Sequence, residues 1–343
     1  MYEKFFGLAH APFSLSADPG FLYLTPQHRE AATGLIYAVL KHKGMVTLTG
    51  EPGTGKTTVL RAVLESLGPN SVKVAYLAVP TLTPSEFLEF VLLQFGLLNV
   101  GRANKAERLL MLERFLLGAH EKSKTTLLVV DEAHKLSQEL LEEIRLLTNY
   151  QTQRGMLIQM VLAGQNELND LFRQEDMLQL KQRVAYRFSL KNLNEAEVQG
   201  YIAHRWTRAG GAVAPPFDAE AVRAVTLYSQ GIPRLINAIC DNALVIAFAD
   251  GASLVKAPSI FEAARDLDLV EGDYGRPLDE VDGAEARLDD HELLAMASNA
   301  SDGKAIPALD RQSAPPKGSW IVRSARRLLL ARQQPDNSHE QDL

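Results

Sequence analysis

Eight consecutive residues, GEPGTGKT at 50–57, carry the densest chemical signal in the chain. They fit the pattern G-x-x-x-x-G-K-[ST], which needs a strand before it and a helix after it. Gly50, Gly53 and Gly55, with Glu51, Pro52 and Thr54 between them, let the backbone turn tightly and aim N–H groups at an anion. A helix opening at Lys56 adds its partial positive charge. Lys56 would reach the β- and γ-phosphates of ATP. Thr57 would place its hydroxyl on Mg²⁺, and Thr58 closes the binding set. The plain alternative is a glycine-rich turn, which rarely falls in the required strand–turn–helix setting.

A second signal lies some 70 residues on, at LLVVDEAH, 127–134. An apolar strand ending in Asp131 can hold Mg²⁺ through its water shell. Glu132 is then placed to orient or deprotonate a water for attack on the γ-phosphate, which points to hydrolysis beyond binding. His134 reads as a coupling or packing residue. The letters Asp131-Glu132-Ala133-His134 also occur in one class of helicases. That reading wants a second sheet domain with its own arginine motif, and the region after Asn194 is helical and too short for one.

Three polar sets could complete such a site. The strand ending near Ala163 leads into Gln165 and Asn166. In an open parallel sheet the C-terminal strand edges line the ligand crevice, so Gln165, with Asn166 second, could touch the γ-phosphate or the attacking water; a loop-capping amide is the alternative. Arg183 and Arg187, in LKQRVAYRF at 180–188, would share a face over one helical turn. Either could reach a neighbour's nucleotide and stabilise transition-state charge, or both could be solvated or salt-bridged. GIPRLIN at 231–237 puts Arg234 in the first turn of a helix, where a cation is unfavourable unless a negative ligand is near.

The elements that must position these residues follow from periodicity. Strand-like apolar runs fall at 45–49, 72–79, 126–130, 156–163 and 186–190. Helical patterns fall at 26–43, 56–67, 84–98, 105–122, 138–149 and 168–183. This alternation predicts an open parallel α/β sheet with helices on both faces. After Asn194 only helices follow, at 195–209, 218–229, 233–249 and 259–267. The domains expected are therefore 1–193, an α/β nucleotide-binding unit; 194–270, a helical lid; and 271–343, a largely disordered tail. The first 26 residues hold Tyr2, Phe5, Phe6, Phe13, Phe21 and Tyr23, read as a packing cluster on the α/β domain or as part of a ligand pocket.

Charge is unevenly spread. Of 36 basic and 42 acidic residues, 27 and 28 fall in 1–270, so the ATP-site region is near neutral and gives no field for nucleic acid. Residues 271–310 hold 11 acidic and 3 basic residues, whereas 311–334 hold 6 basic and none acidic. Within that basic stretch, 319–332 has the pattern of an amphipathic helix that could lie on an anionic membrane or dock on a partner; a self-docked or unstructured tail is the alternative. The single cysteine, Cys240, allows no internal disulfide and suits a reducing cytoplasm. No secretory signal or membrane-spanning run is expected.

In combination and in this order, the phosphate loop, Asp131-Glu132, Gln165, the arginine pair and Gly231-Ile-Pro-Arg234 resemble an AAA+ ATPase. More narrowly, the opening MYEKFFGLAHAPFSLSADPGFLYL and the segments LAGQNEL, LKQRVAYRFSL and GIPRLINAICDNAL resemble the general secretion pathway protein A family and the related exosortase- and exopolysaccharide-associated ATPases, over about residues 1–268. The resemblance implies a P-loop sheet of order 5-1-4-3-2, an all-helical lid, and ATP-driven oligomerisation as a ring or a nucleotide-dependent dimer. It assigns Gln165 as first sensor and Arg234 as second sensor. Secretion-type members often continue into a membrane span and a cell-wall-binding domain; their absence here favours the exopolysaccharide-associated type. The function expected is a cytoplasmic Mg²⁺-dependent ATPase, peripheral at the inner membrane if 319–332 binds lipid, serving a secretion or export system. A DNA-binding transposition ATPase is the runner-up, and a nucleotide-gated scaffold the third reading.

Overall fold

Five strands alternate with helices and pair in parallel throughout: β1 (Met45–Gly50), β2 (Val72–Leu77), β3 (Thr125–Val130), β4 (Ile158–Gly164) and β5 (Val184–Leu190). The computed structural model describes residues 1–15, 19–153, 155–211 and 214–269. Across the sheet the order is β2-β3-β4-β1-β5, which is 5-1-4-3-2 read from the other edge, as expected. β1, β3 and β4 are buried along their whole length, which explains their continuous apolar character.

Alternation along these strands sorts the core into two layers. Met45, Leu128, Val130, Met160 and Leu162 face α3 (Pro84–Gln94), α4 (Lys105–Glu121) and α5 (Gln138–Leu147). Val46, Leu48, Leu127, Val129 and Val161 face α1 (Pro26–Leu40) and α2 (Lys56–Leu67). The helix starts obey local chemistry. Thr25 caps α1 with Pro26 at its first position, and Thr83 and Asn104 form capping boxes with Glu86 and Glu107.

Two regions differ from the periodic reading. The expected helix at 168–183 is broken into Glu167–Leu171, a 3-10 turn at Glu175–Met177, and Leu178–Gln182. A two-stranded antiparallel ribbon, Gln151–Thr152 with Gly155–Met156, precedes β4 and was not foreseen. Pairs of residues are too short to raise a period-2 pattern.

Helices α6 (Glu195–Arg208), α7 (Ala219–Ser229), α8 (Pro233–Ala249) and α9 (Ala257–Asp266) form the lid around their own core of Val198, Ile202, Ile236, Ile239 and Ala243. The aromatic lead-in packs here, not on the sheet. Tyr2 and Phe13 are buried in the lid core, Phe6 meets Trp206 edge to face at 6.0 Å, and Tyr23 meets Tyr201 at 6.0 Å. The chain therefore starts on the lid, crosses to α1 and returns to the lid after β5. Val270 and the tail 271–343, with the amphipathic segment 319–332, lie outside the described residues. Among the described residues, no helix is long and apolar enough to cross a membrane.

Gly231, between α7 and α8, is where the lid packs against the segment that follows β5. Its φ is +73°, and a Cβ there would run into the backbone carbonyl of Leu193, whose own N–H donates to Gly231 O at 2.8 Å. Gly231→Ala is therefore expected to cost ~2–4 kcal/mol through strain and clash. Thermal unfolding should fall by roughly 5 °C or more; an unchanged melt would refute the strain argument.

Candidate functional site

The phosphate loop leaves β1 at Gly50 and enters α2 at Lys56, as the motif requires. Gly53 has φ +82°, and a Cβ on it would sit 2.7 Å from Arg234 Cβ and 3.0 Å from Ile232 Cγ2. Only glycine lets the first turn of α8 press this closely on the loop. The Arg234 N–H also donates to Gly53 O at 3.3 Å, so the lid is tied to the loop through main chain as well.

Lys56 is buried, at 6% exposure, and folds its ammonium over the loop to donate to Gly50 O at 2.8 Å and Glu51 O at 2.9 Å. Burial pushes its pKa below the ordinary lysine value, and the charges of Glu132, Asp131, Glu51 and Glu167 work against that fall. Thr57 Oγ1 donates to Asp131 Oδ2 at 2.8 Å, joining the start of α2 to the end of β3. Tyr76, on the neighbouring β2, donates to the same oxygen at 2.8 Å. Burial first, then the Asp131 charge, raises the Tyr76 pKa and keeps this phenol a donor.

Glu132 stands just past the strand end in a left-handed conformation, φ +52°. Its Oε2 lies 3.5 Å from Lys135 Nζ and 3.6 Å from His134 Nε2. His134 Nδ1 accepts the backbone N–H of Gln165 at 3.2 Å, so the ends of β3 and β4 are joined by this ring.

Of these residues, Lys56, Thr57, Glu132 and Gln165 border a cleft of about 480 Å³. Its loop side is Gly53, Lys56 and Thr57, with Glu132, Gln165 and Arg234 around it. The rest of the lining is largely apolar and aromatic, with Leu15, Phe21, Leu22 and Tyr23 from the lead-in, Leu193 and Tyr201, and the polar His28, Arg205 and Asn237 among them. That shape, one anion-binding wall and one apolar wall, matches a nucleotide's two halves. Oxygen donors from a hydroxyl and a carboxylate, Thr57 and Asp131, make a hard donor pair that fits Mg²⁺.

The predicted residues divide into three groups. Phosphate-loop residues 52–58, Glu132, Gln165 and Arg234 line the cleft, Asp131 joins it through Thr57, and Gly50 and Glu51 through their carbonyls on Lys56. Asn166 does not line it; its amide donates to Glu51 Oε1 at 2.7 Å. Arg183 and Arg187 are not on one helical turn. Arg183 ends the short helix before β5, and Arg187 lies mid-strand, paired with Thr47. The reason is that β5 starts at Val184, two residues earlier than its apolar pattern showed, with a register shift beside Met45. Both side chains are exposed and neither lines this chain's own cleft.

Sequence reasoning missed several lining groups. His28 contacts Thr25 Oγ1 at 2.6 Å and Thr54 O at 3.2 Å, and burial lowers its pKa. Tyr201, Arg205 and Asn237 also line the cleft and were missed, as was Tyr76, which does not line it but holds Asp131. Tyr76 is visible only once the pairing of β2 with β3 is known. Tyr201 and Arg205 face the cleft only because the lid folds back over the loop.

A parallel sheet of this order, a phosphate loop after β1, an acidic pair after β3 and a helical lid whose first-turn arginine touches the loop together define an AAA+ ATPase. Residues 39–172 match the AAA domain family. Over 267 residues, 78% of the chain, the sequence is 39% identical to general secretion pathway protein A of Aeromonas hydrophila. The two matches support an AAA+ ATPase of the general secretion pathway protein A family, and the chain spans about half of that relative's length, 48% of the Aeromonas protein. Solved structures with the same fold include Cdc6p from Pyrobaculum aerophilum, with TM-score 0.57 and 16% identity over 80% of this chain and 74% of that one. Drosophila ORC bound to DNA matches with TM-score 0.55 and 20% identity over 76% of this chain and 67% of that one.

Proposed function

We propose that the chain hydrolyses ATP with Mg²⁺ and couples nucleotide state to the assembly or operation of an envelope secretion or exopolysaccharide export machine. The observation that carries the chemistry is the 2.8 Å contact between Thr57 and Asp131, with Glu132 one residue further at the cleft mouth. The relative's name, general secretion pathway protein A, supports the process.

The roles follow from position. Backbone N–H groups of 53–57 and Lys56 hold the phosphates, and Lys56 leaves its two loop carbonyls to do so. Thr57 and Asp131 hold Mg²⁺, which supplies charge neutralisation on the phosphate oxygens when bound. Glu132 takes the proton of the attacking water. Gln165 hydrogen-bonds the γ-phosphate or that water, and Arg234 ties the lid to it. Arg187 lies on β5, an edge strand, and Arg183 immediately precedes it, a full strand length from the chain's own loop. An arginine so placed serves only a neighbour's nucleotide, which makes the active form an oligomer. This reading puts the activity in the cytoplasm, peripheral at the inner membrane if 319–332 binds lipid.

Steady-state hydrolysis at rising protein concentration, with and without duplex DNA, tests the reading. Specific activity should climb with concentration and ignore DNA. Zero turnover at every concentration would select a nucleotide-gated scaffold. Stimulation by DNA that fades with salt would select the transposition-type reading.

A further inference from the structure

The geometry points to Asn237 as the residue that reads the ribose of the bound nucleotide, an inference that rests on the cleft's being a nucleotide site. Asn237 is only 6% exposed, yet it lines the cleft. It lies on α8 at the third position after Arg234, on the same helix face. Arg234 touches the phosphate loop, and Asn237 touches Tyr201 on the apolar wall. Asn237 thus stands between the phosphate wall and the apolar wall, where a nucleotide carries its sugar.

Its orientation is set by a relay. The Arg205 Nη1 donates to Tyr201 Oη at 3.0 Å, and Tyr201 Oη donates to Asn237 Oδ1 at 2.9 Å. A guanidinium only donates, so the phenol must accept from it and pass its own proton onward. That commits Oδ1 of Asn237 and turns Nδ2 away from Tyr201. Nδ2 is then the atom through which Asn237 can donate into the cleft it lines. An acceptor entering the cleft would take the place of water on that donor. Ribose hydroxyl oxygens are such acceptors.

Arg205 is itself held. It is 6% exposed and donates to Pro12 O at 2.6 Å and Ser14 O at 3.1 Å, while its guanidinium lies 5.0 Å from the Phe21 ring centre. One cation therefore contacts both the relay to Asn237 and the aromatic lead-in.

Equilibrium binding of ATP, 2′-deoxy-ATP and 3′-deoxy-ATP tests this. The wild-type chain should bind ATP about tenfold tighter than at least one deoxy analogue, the worth of one partly buried hydrogen bond. Asn237→Asp keeps the acceptor for Tyr201 and removes the donor, so that ratio should collapse to near one, whatever the added charge does to both affinities. Asn237→Ala should do the same, with thermal melting checking that each variant is folded. Tyr201→Phe, which leaves the amide unanchored, should lose part of the ratio. Equal wild-type affinity for all three nucleotides, or discrimination that survives Asn237→Asp, overturns the inference. So does a variant that changes ATP-over-GTP preference and leaves the ribose ratio intact. A wild-type chain that binds none of them would instead refute the nucleotide cleft itself.

Discussion

Glu132→Gln should bind ATP within about threefold of the wild-type affinity and turn it over 10²–10³ times more slowly, the usual worth of a positioned general base. The substitution is isosteric and swaps a carboxylate for an amide. The contacts of the phosphate-holding groups, Lys56 and the loop, do not include the Glu132 side chain and are kept. The left-handed backbone at residue 132, φ +52°, tolerates an amide as well as an acid, so folding should be unaffected. Two effects on binding oppose each other. Removing a negative charge near the γ-phosphate favours ATP, and removing a neighbour that helps keep Lys56 protonated disfavours it. Both are small beside the loss of the base. Single-turnover hydrolysis with fluorescence-monitored nucleotide binding separates the two quantities. Turnover at the wild-type rate would remove Glu132 from the chemistry and leave the Asp131 side as the only acidic contribution.

The order in which these residues became legible is itself physical. The phosphate loop is local: its glycines, lysine and threonine lie within eight positions, and their roles follow from backbone geometry that sequence spacing encodes. Asp131 and Glu132 are nearly as local, because a buried parallel strand has a recognisable apolar run and a definite end. Sheet order came with the family resemblance, since no property of an isolated strand states its neighbour. The arginines show the limit clearly. Arg183 and Arg187 are four apart, a helical spacing, but β5 begins between them and period 2 replaces period 3.6. Val184 and Ala185 carry too little pattern to mark that switch. The apolar half of the cleft was the least legible. Phe21, Leu22 and Tyr23 look like packing residues, and most of the lead-in is packing: Tyr2 and Phe13 are in the lid core. What makes the last few residues a pocket wall is the return of the lid across more than 170 positions of chain, with Arg205 reaching back to Pro12 and Ser14.

Lys56→Ala should weaken ATP binding by 10² or more, the fold-loss expected when one partner of a desolvated charge pair is truncated. The resting fold should change far less. In the structure the ammonium is committed to Gly50 O and Glu51 O, and its burial is costly enough to lower its pKa. Alanine loses those two hydrogen bonds and also loses the desolvation cost, and the partly open loop lets water replace the lysine on both carbonyls. The neighbouring acids Glu132, Asp131 and Glu51 lose a compensating cation, which sets a modest net penalty. The distinguishing measurement is the nucleotide-dependent part of thermal stability. At ATP a hundredfold above the wild-type Kd, linkage contributes about 2.7 kcal/mol to the wild-type fold. The same concentration is near or below the Kd of Lys56→Ala, so its melt should move by less than about 0.5 kcal/mol equivalent. Lys56→Arg should not restore the shift, because a planar guanidinium cannot fold over the two loop carbonyls as a compact ammonium does. A full nucleotide-dependent shift in Lys56→Ala would mean that the loop backbone and the α2 terminus hold the phosphates alone, with the lysine serving only to brace the loop.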